Sequence, residues 1–348
     1  MALRTSPLAA EQAPATPGTP ALASDRPLLE VRDLVTQFPT RAGWLTAVNH
    51  ISYTLQAGRV LGVLGESGSG KSAMLRTILG LQPKSARISG EVILRDRDLI
   101  SMSPREREDI RGEWVSMVFQ DPMTALDPVF TVEQQLVETI RRHAPMSKAA
   151  ASQRALELLQ TVQIPSPERR LKAYPFELSG GMRQRVVIAM ALVSNPSLLL
   201  ADEPTTALDV TVQARVLDLF RDLKTRLGMA IIFVTHDLAV AAEISDDIAV
   251  MYAGRIVEFG SLDDIVKNPQ HPYTRGLLEA NIRPGQTEKP EAIPGSPPNL
   301  ANLPPGCSFA PRCHSARSEC WDKLPEFTVI SSTQQVRCVL AESAEGDK

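Results

Sequence analysis

Short apolar runs separated by polar turns recur along residues 29–260, in two alternating periods. Leu29–Val35 and Val48–Leu55 alternate apolar with polar positions, which predicts strands with one face buried. Val60–Leu64, Trp114–Phe119, Leu198–Ala201 and Ala230–Val234 are nearly unbroken apolar runs, the pattern of strands covered on both faces. Between them, helical spacing marks Lys71–Leu79, Thr131–Arg142, Lys148–Thr161, Gly181–Ser194, Val210–Arg226 and Leu238–Ile244. Asn195-Pro196 is a stop signal after the fourth of these. Strands near Ile248–Tyr252 and Arg255–Phe259 follow, then short helices at Leu262–Lys267 and Tyr273–Ala280. Strands alternating with helices predict an α/β protein with a largely parallel sheet, interrupted by a helical block at about residues 122–182.

Composition narrows the class. The chain has 348 residues, enough for two domains at about 150 residues each. Its net charge is −3, so no basic excess marks a nucleic-acid binder. The longest apolar run, Val186–Val193, falls far short of the roughly 20 residues a membrane-spanning helix needs. Residues 1–27 are rich in Pro and Ala without a continuous apolar stretch, which predicts a disordered tail rather than a secretory signal. A Pro-rich linker spans Pro284–Pro305. All the cysteines, Cys307, Cys313, Cys320 and Cys338, lie beyond it, and a cysteine-free body with such an end favours a metal site over a disulfide framework.

Candidate chemistry begins at Gly65-Glu66-Ser67-Gly68-Ser69-Gly70-Lys71-Ser72, a full match to G-x-x-x-x-G-K-[ST]. It follows a predicted strand and opens a predicted helix, so its glycines can curl backbone N–H groups around phosphate oxygens while the helix N-terminus faces the same anion. Lys71 is expected to reach the β- and γ-phosphates and Ser72 to hold Mg²⁺. The strand Leu198–Ala201 ends in Asp202-Glu203. Asp202 is assigned to the Mg²⁺ shell and Glu203 to polarising the attacking water as general base.

Leu178-Ser179-Gly180-Gly181-Met182-Arg183-Gln184-Arg185 resembles the signature sequence of ATP-binding cassette (ABC) ATPases. With the phosphate loop, Asp202-Glu203, Gln120 and His236, the resemblance covers residues 28–260. It implies an ABC-type nucleotide-binding domain: a RecA-like core, a β-subdomain and an inserted helical subdomain. It further implies that Ser179, Gly180, Gly181 and Met182 contact ATP held by a partner subunit, although Met182 departs from the commoner glutamine. Gln120 would sense Mg²⁺ and the lytic water, His236 would contact the γ-phosphate and position Glu203, and Asp209 would couple the two sites of the dimer. An aromatic upstream of the phosphate loop stacks on adenine in this family; Phe38 is the first candidate and Trp44 the second.

Three further segments are similar to dipeptide/oligopeptide (and nickel) importer ATPases: Gln120–Pro128, the methionine of the signature, and Pro269-Gln270-His271-Pro272-Tyr273-Thr274. The resemblance implies two transmembrane permeases, a second related cassette or a second copy of this chain, a solute-binding protein, and a peripheral position on the cytoplasmic face of the membrane. It places a C-terminal extension at 261–348. The cysteine spacing, C-x5-C-x6-C-x17-C, is not the paired C-x2-C of common zinc ribbons. Four thiolates can hold a [4Fe–4S] cluster, and some peptide-importer cassettes have one here; zinc and metal-free thiols are the alternatives. Intact Lys71, Asp202, Glu203 and His236 argue against a non-catalytic regulatory cassette. The stretch from Ser72 to Ser179 carries no heptads, which argues against a DNA-repair or chromosome-structure ATPase. A single cassette argues against the two-cassette translation factors.

Overall fold

The computed structural model describes residues 26–206, 208–280 and 293–341. The tail expected at 1–27 and part of the Pro-rich linker therefore lie largely outside the described residues. Strands β1 (Leu29–Thr40) and β2 (Gly43–Leu55) form an antiparallel hairpin paired out to Thr40 and Gly43. The strand β3 (Val60–Leu64) then leads through the glycine-rich loop into α1 (Lys71–Ile78). β4 (Arg87–Leu94) returns antiparallel to β1 and carries the short β5 (Arg97–Asp98), giving a four-stranded sheet in the order β2-β1-β4-β5. Helix α2 (Pro104–Ile110), capped by Ser103 and Glu106, leads to β6 (Val115–Val118).

The helical block comprises α3 (Pro122–Ala125), α4 (Val132–His143), α5 (Lys148–Thr161) and α6 (Pro167–Leu171). The longer α7 (Gly180–Ala191) follows it and packs on α3 and β6. Next come β7 (Leu198–Asp202), α8 (Val210–Leu227), β8 (Ala230–Thr235), α9 (Leu238–Ile244), β9 (Asp247–Tyr252) and β10 (Arg255–Ser261). α10 (Leu262–Lys267), α11 (Pro272–Glu279), α12 (Glu319–Asp322), β11 (Thr328–Val329) and β12 (Gln335–Val336) complete the chain.

The main sheet runs β11-β12-β10-β9-β3-β8-β7-β6. Its centre, β9-β3-β8-β7-β6, is parallel. Every residue of β3, β7 and β8 is buried, which is why these strands read as nearly unbroken apolar runs. Side chains alternate across the sheet. Leu199, Ala201, Ile231 and Phe233 join the core beneath the helical block, while Leu198, Leu200, Ala230, Ile232 and Val234 join the core beneath α1 and the antiparallel sheet. The carboxyl ends of β3, β7 and β8 thus place the phosphate loop, Asp202-Glu203 and His236 side by side.

The C-terminal segment is joined to this sheet: β12 pairs with β10 at Glu258↔Val336 and Phe259↔Gln335. Glu258 is fully buried and staples the junction. Its carboxylate accepts the N–H groups of Gln270 at 2.7 Å and His271 at 2.9 Å, and the Gln334 amide at 2.9 Å. Glu258→Ala strands three donors, and at about 1–3 kcal/mol for each unsatisfied buried group it should destabilise the protein by roughly 3 kcal/mol or more. A urea-unfolding midpoint equal to wild type would refute the staple.

Candidate functional site

The loop Gly65–Ser72 has the conformation its glycines permit. Gly70 has φ +102°, and a Cβ there would come within 2.2 Å of the Ala47 carbonyl oxygen. Gly65 meets the Met251 carbonyl oxygen in the same way, at 2.3 Å. Both positions therefore require glycine. The loop lines a cavity of about 770 Å³ with Ala47, Gln120, Glu203, His236, Leu277, Pro297 and Leu300.

Lys71 is buried and folds back over the loop, donating to the carbonyls of Gly65 at 2.7 Å and Glu66 at 2.9 Å. Burial lowers its pKa, opposed by the charges of Glu203, Asp202 and Glu66. Ser72 donates its hydroxyl to Asp202 Oδ1 at 2.8 Å. Burial pushes the Asp202 carboxyl up from its ordinary range, against the Ser72 hydrogen bond. A serine hydroxyl and a carboxylate side by side, with the Gln120 amide nearby, form a hard oxygen donor set that fits Mg²⁺.

Glu203 is the centre of the site. It follows β7 in the left-handed region, at φ +46°, a conformation uncommon for a residue with a Cβ and typical of functional turns. Its Oε2 lies 3.2 Å from His236 Nδ1, accepts the Thr206 hydroxyl at 2.9 Å, and is 3.4 Å from the Gln120 amide nitrogen. Its Oε1 lies 4.0 Å from Lys71 Nζ. The residues expected to act on the lytic water are therefore within reach of one carboxylate. Thr206 was not among the expected residues; its place three residues after Glu203, in the same turn, is the signal for it.

The signature residues do not line this cavity. Ser179 caps α7 by accepting the Met182 N–H at 3.3 Å, and Gly180 and Gly181 form the first turn. A Cβ on Gly181 would strike Val212 Cγ1 at 2.3 Å. The Met182 side chain packs against the core beneath the helical block, so an apolar residue suits this position. Asp209 is exposed and caps α8 through the Val212 N–H at 3.0 Å. Neither Phe38 nor Trp44 lines the cavity; β2 reaches it through Ala47. Trp44 is 42% exposed and stacks under the Arg87 guanidinium at 3.7 Å.

A second groove, of about 620 Å³, separates the main sheet from the helical block. Met117, Phe119, Ala125, Arg142, His143 and Val187 are among the residues that line it. Met123, Val129 and Phe130, which flank Ala125 in sequence, are exposed.

The extension touches the phosphate loop directly, a contact that no sequence motif signals. Arg312 forms a two-pronged ion pair with Glu66, at 2.6 and 3.0 Å, and Tyr273 Oη accepts the Glu66 N–H at 2.9 Å. His271 is buried and caps α11 by accepting the Tyr273 N–H at 3.0 Å. Burial lowers its pKa to about 3, which keeps the ring neutral as a structural cap.

The cysteines are free thiols. Cys307 donates its N–H to the Cys320 carbonyl at 2.8 Å, and Cys320 Sγ accepts the Arg317 N–H at 3.4 Å. Burial raises the thiol pKa values of Cys307, to about 11, and of Cys313 and Cys338, and the neighbouring Cys320 adds to each. Among the described residues, no three His, Cys, Asp or Glu side chains form a group that could hold a metal ion. In this arrangement the thiols do not form a ligand set.

Comparison with known proteins gives the site a family. Residues 48–206 match the family model described as ABC transporter, and residues 257–320 match that of the oligopeptide/dipeptide transporter C-terminal region. The oligopeptide transport ATP-binding protein OppD of Escherichia coli is 47% identical over 93% of this chain and 94% of its own length. The dipeptide transport ATP-binding protein DppD of Bacillus subtilis is 46% identical, over 90% of this chain and 94% of its own. A dimeric ATP-binding cassette, MJ0796, in a post-hydrolysis state bound to ADP and Pi, superposes with TM-score 0.61 at 29% identity, covering 67% of this chain and 98% of that one. A phosphate loop, a β7 carboxylate pair and a glycine-started α7 on this sheet, together with a matched C-terminal region, agree with these relatives, and the chain belongs to the ABC transporter ATP-binding proteins of the oligopeptide/dipeptide family.

Proposed function

We propose that the chain binds ATP in the cavity over Gly65–Ser72, hydrolyses it, and thereby energises the import of di- or oligopeptides. The observation that carries the mechanism is the convergence of His236, Gln120, Thr206 and Lys71 on Glu203. Glu203 takes a proton from the attacking water; His236 and Thr206 orient its carboxylate. Lys71 exchanges its two carbonyl partners for the β- and γ-phosphates. Ser72, Asp202 and Gln120 would hold Mg²⁺, which supplies charge neutralisation at the phosphates. Adenine is assigned to the mouth beside Ala47, on the hairpin that carries Phe38 and Trp44.

Ser179, Gly180, Gly181 and Met182 lie outside the cavity of their own chain, which supports their assignment to the ATP of a second cassette, either a related subunit or a copy of this chain. Asp209, at the start of α8, is assigned to coupling the two sites. Residues 28–260 are taken as the ATPase domain and 261–348 as the extension. The groove lined by Phe119 and Ala125, with the exposed Met123, Val129 and Phe130 in and just after Gln120–Pro128, suits the docking of a coupling helix from one of the two transmembrane permeases. No helix among the described residues is long and apolar enough to cross a membrane. We place the chain at the cytoplasmic face of the membrane, with a solute-binding protein delivering the peptide on the other side. Vesicles containing the permeases and this chain, charged with ATP, test the substrate class. Peptide uptake that depends on Glu203 supports it; uptake of nickel, an opine or glutathione in place of peptides overturns it.

We further propose that the four cysteines rearrange to hold an iron–sulfur cluster: as placed they form no ligand set, and what supports the reading is that Cys320 lies close enough to Cys307, Cys313 and Cys338 to raise their thiol pKa values. Holding it would require the thiols to deprotonate and turn toward one point. Anaerobically purified protein should be brown and contain iron; colourless, iron-free protein would reject the assignment.

A further inference from the structure

Glu66 is electrostatically misplaced for a phosphate site. It puts a carboxylate in a loop that binds polyanions, and it lines the same cavity as Lys71. Its charge is met from the far end of the chain. Arg312 Nη1 and Nη2 donate to its two carboxylate oxygens, and the Arg312 side chain is only 6% exposed, so water screens the pair weakly. Arg312 is itself held on its other edges. Its Nε donates to the Pro294 carbonyl at 2.7 Å, and Nη1 reaches Tyr252 Oη at 3.3 Å. Its guanidinium carbon lies 5.9 Å from the ring centres of Tyr252 and Phe309. Glu66 is gripped at three points: carboxylate by Arg312, N–H by Tyr273 and, until Lys71 turns to phosphate, carbonyl by Lys71. Two of the three come from the extension, and Pro297 and Leu300 of the same segment form part of the cavity wall.

We propose that Arg312 is a positioning residue for ATP binding: it cancels the Glu66 charge beside the triphosphate and fixes the second residue of the phosphate loop. The C-terminal extension thereby completes the nucleotide site of its own chain. This rests on the assignment of Gly65–Ser72 as the triphosphate loop. Lysine in place of Arg312 keeps a charge but loses the fork that matches a carboxylate at two points.

The test measures ATP affinity of the full-length chain without Mg²⁺, so that binding is read apart from turnover. Arg312→Gln should bind ATP about tenfold more weakly, within the range typical of coupled sites. Adding Glu66→Gln should restore affinity to within about threefold of wild type, since removing the carboxylate removes what Arg312 cancels. Wild-type affinity in Arg312→Gln would overturn the proposal. So would a loss that Glu66→Gln fails to rescue, which would make Arg312 only a packing residue against Tyr252 and Phe309. If Arg312→Gln alone fails to fold, the double substitution decides: near-wild-type affinity supports the proposal and a tenfold loss refutes it. Failure of the wild-type chain to bind ATP would instead strike the reading of the loop itself.

Discussion

Glu203→Gln should cut ATP hydrolysis by about 10²–10⁴-fold, the usual contribution of a positioned general base, while ATP still binds. The amide keeps the shape of the carboxylate and can still bond Thr206 and His236, which lie 2.9 and 3.2 Å from Oε2 in the wild type. It cannot take the proton from water. It also removes a negative charge 4.0 Å from Lys71, which leaves the lysine freer to turn toward phosphate. Binding without turnover should therefore trap the closed pair of cassettes. Size-exclusion chromatography with Mg-ATP should show a dimer for Glu203→Gln where the wild type returns to monomer. Wild-type turnover after this substitution would remove Glu203 from the base position and with it the mechanism built on the convergence of Gln120, His236 and Thr206.

What could be read from sequence had a local cause. The phosphate loop, Asp202-Glu203 and the signature are each contiguous, because each is one stretch of backbone meeting one ligand. Strands β3, β7 and β8 were legible because burial on both faces leaves polar side chains only at the ends of β7 and β8. The strand β4 was not, because five of its eight residues are exposed or half-exposed before the first buried one, and Gly90 breaks its pattern. That glycine has φ +92° and sits where a Cβ would strike the Asp33 carbonyl oxygen at 2.4 Å, so the irregularity belongs to its pairing with β1. The hairpin strands also extend beyond their expected ends, to Thr40 and back to Gly43, since cross-strand pairing persists where the apolar alternation fades. Glu66 and Arg312 stand 246 positions apart, and nothing local to either predicts the other. The only clue was chemical: a carboxylate in an anion-binding loop calls for a cation. The cysteines show the opposite limit. Their spacing pointed to a shared site, but spacing carries no information about sulfur orientation, and the thiols as placed form no group that could hold a metal ion.

Lys71→Ala should weaken ATP binding by about 10²–10⁴-fold, because two charge-assisted contacts to phosphate, each worth roughly 1.5–3 kcal/mol, are lost together. The geometry of Lys71 shows why the loss should exceed that of a surface lysine. Lys71 is only 4% exposed, and its ammonium lies 4.0 Å from Glu203. Burial disfavours its charged form, and the charges of Glu203, Asp202 and Glu66 work against that cost. The triphosphate would take over this role more strongly than the two carbonyls do, so nucleotide should stabilise the wild-type protein much more than it stabilises Lys71→Ala. Alanine also leaves Asp202 and Glu203, adjacent in sequence and partly desolvated, without that charge. The thermal midpoint of Lys71→Ala should consequently rise little on adding ATP, where the wild type's rises with ATP concentration. Equal ATP-induced shifts in the two proteins would show that Lys71 does not face the phosphates, and the cavity would then have to bind nucleotide through its backbone amides alone. Comparing Lys71→Ala with Arg312→Gln separates the two cations: adding Glu66→Gln should restore affinity to the second, where the deficit is repulsion, and not to the first, where the attracting group itself is gone.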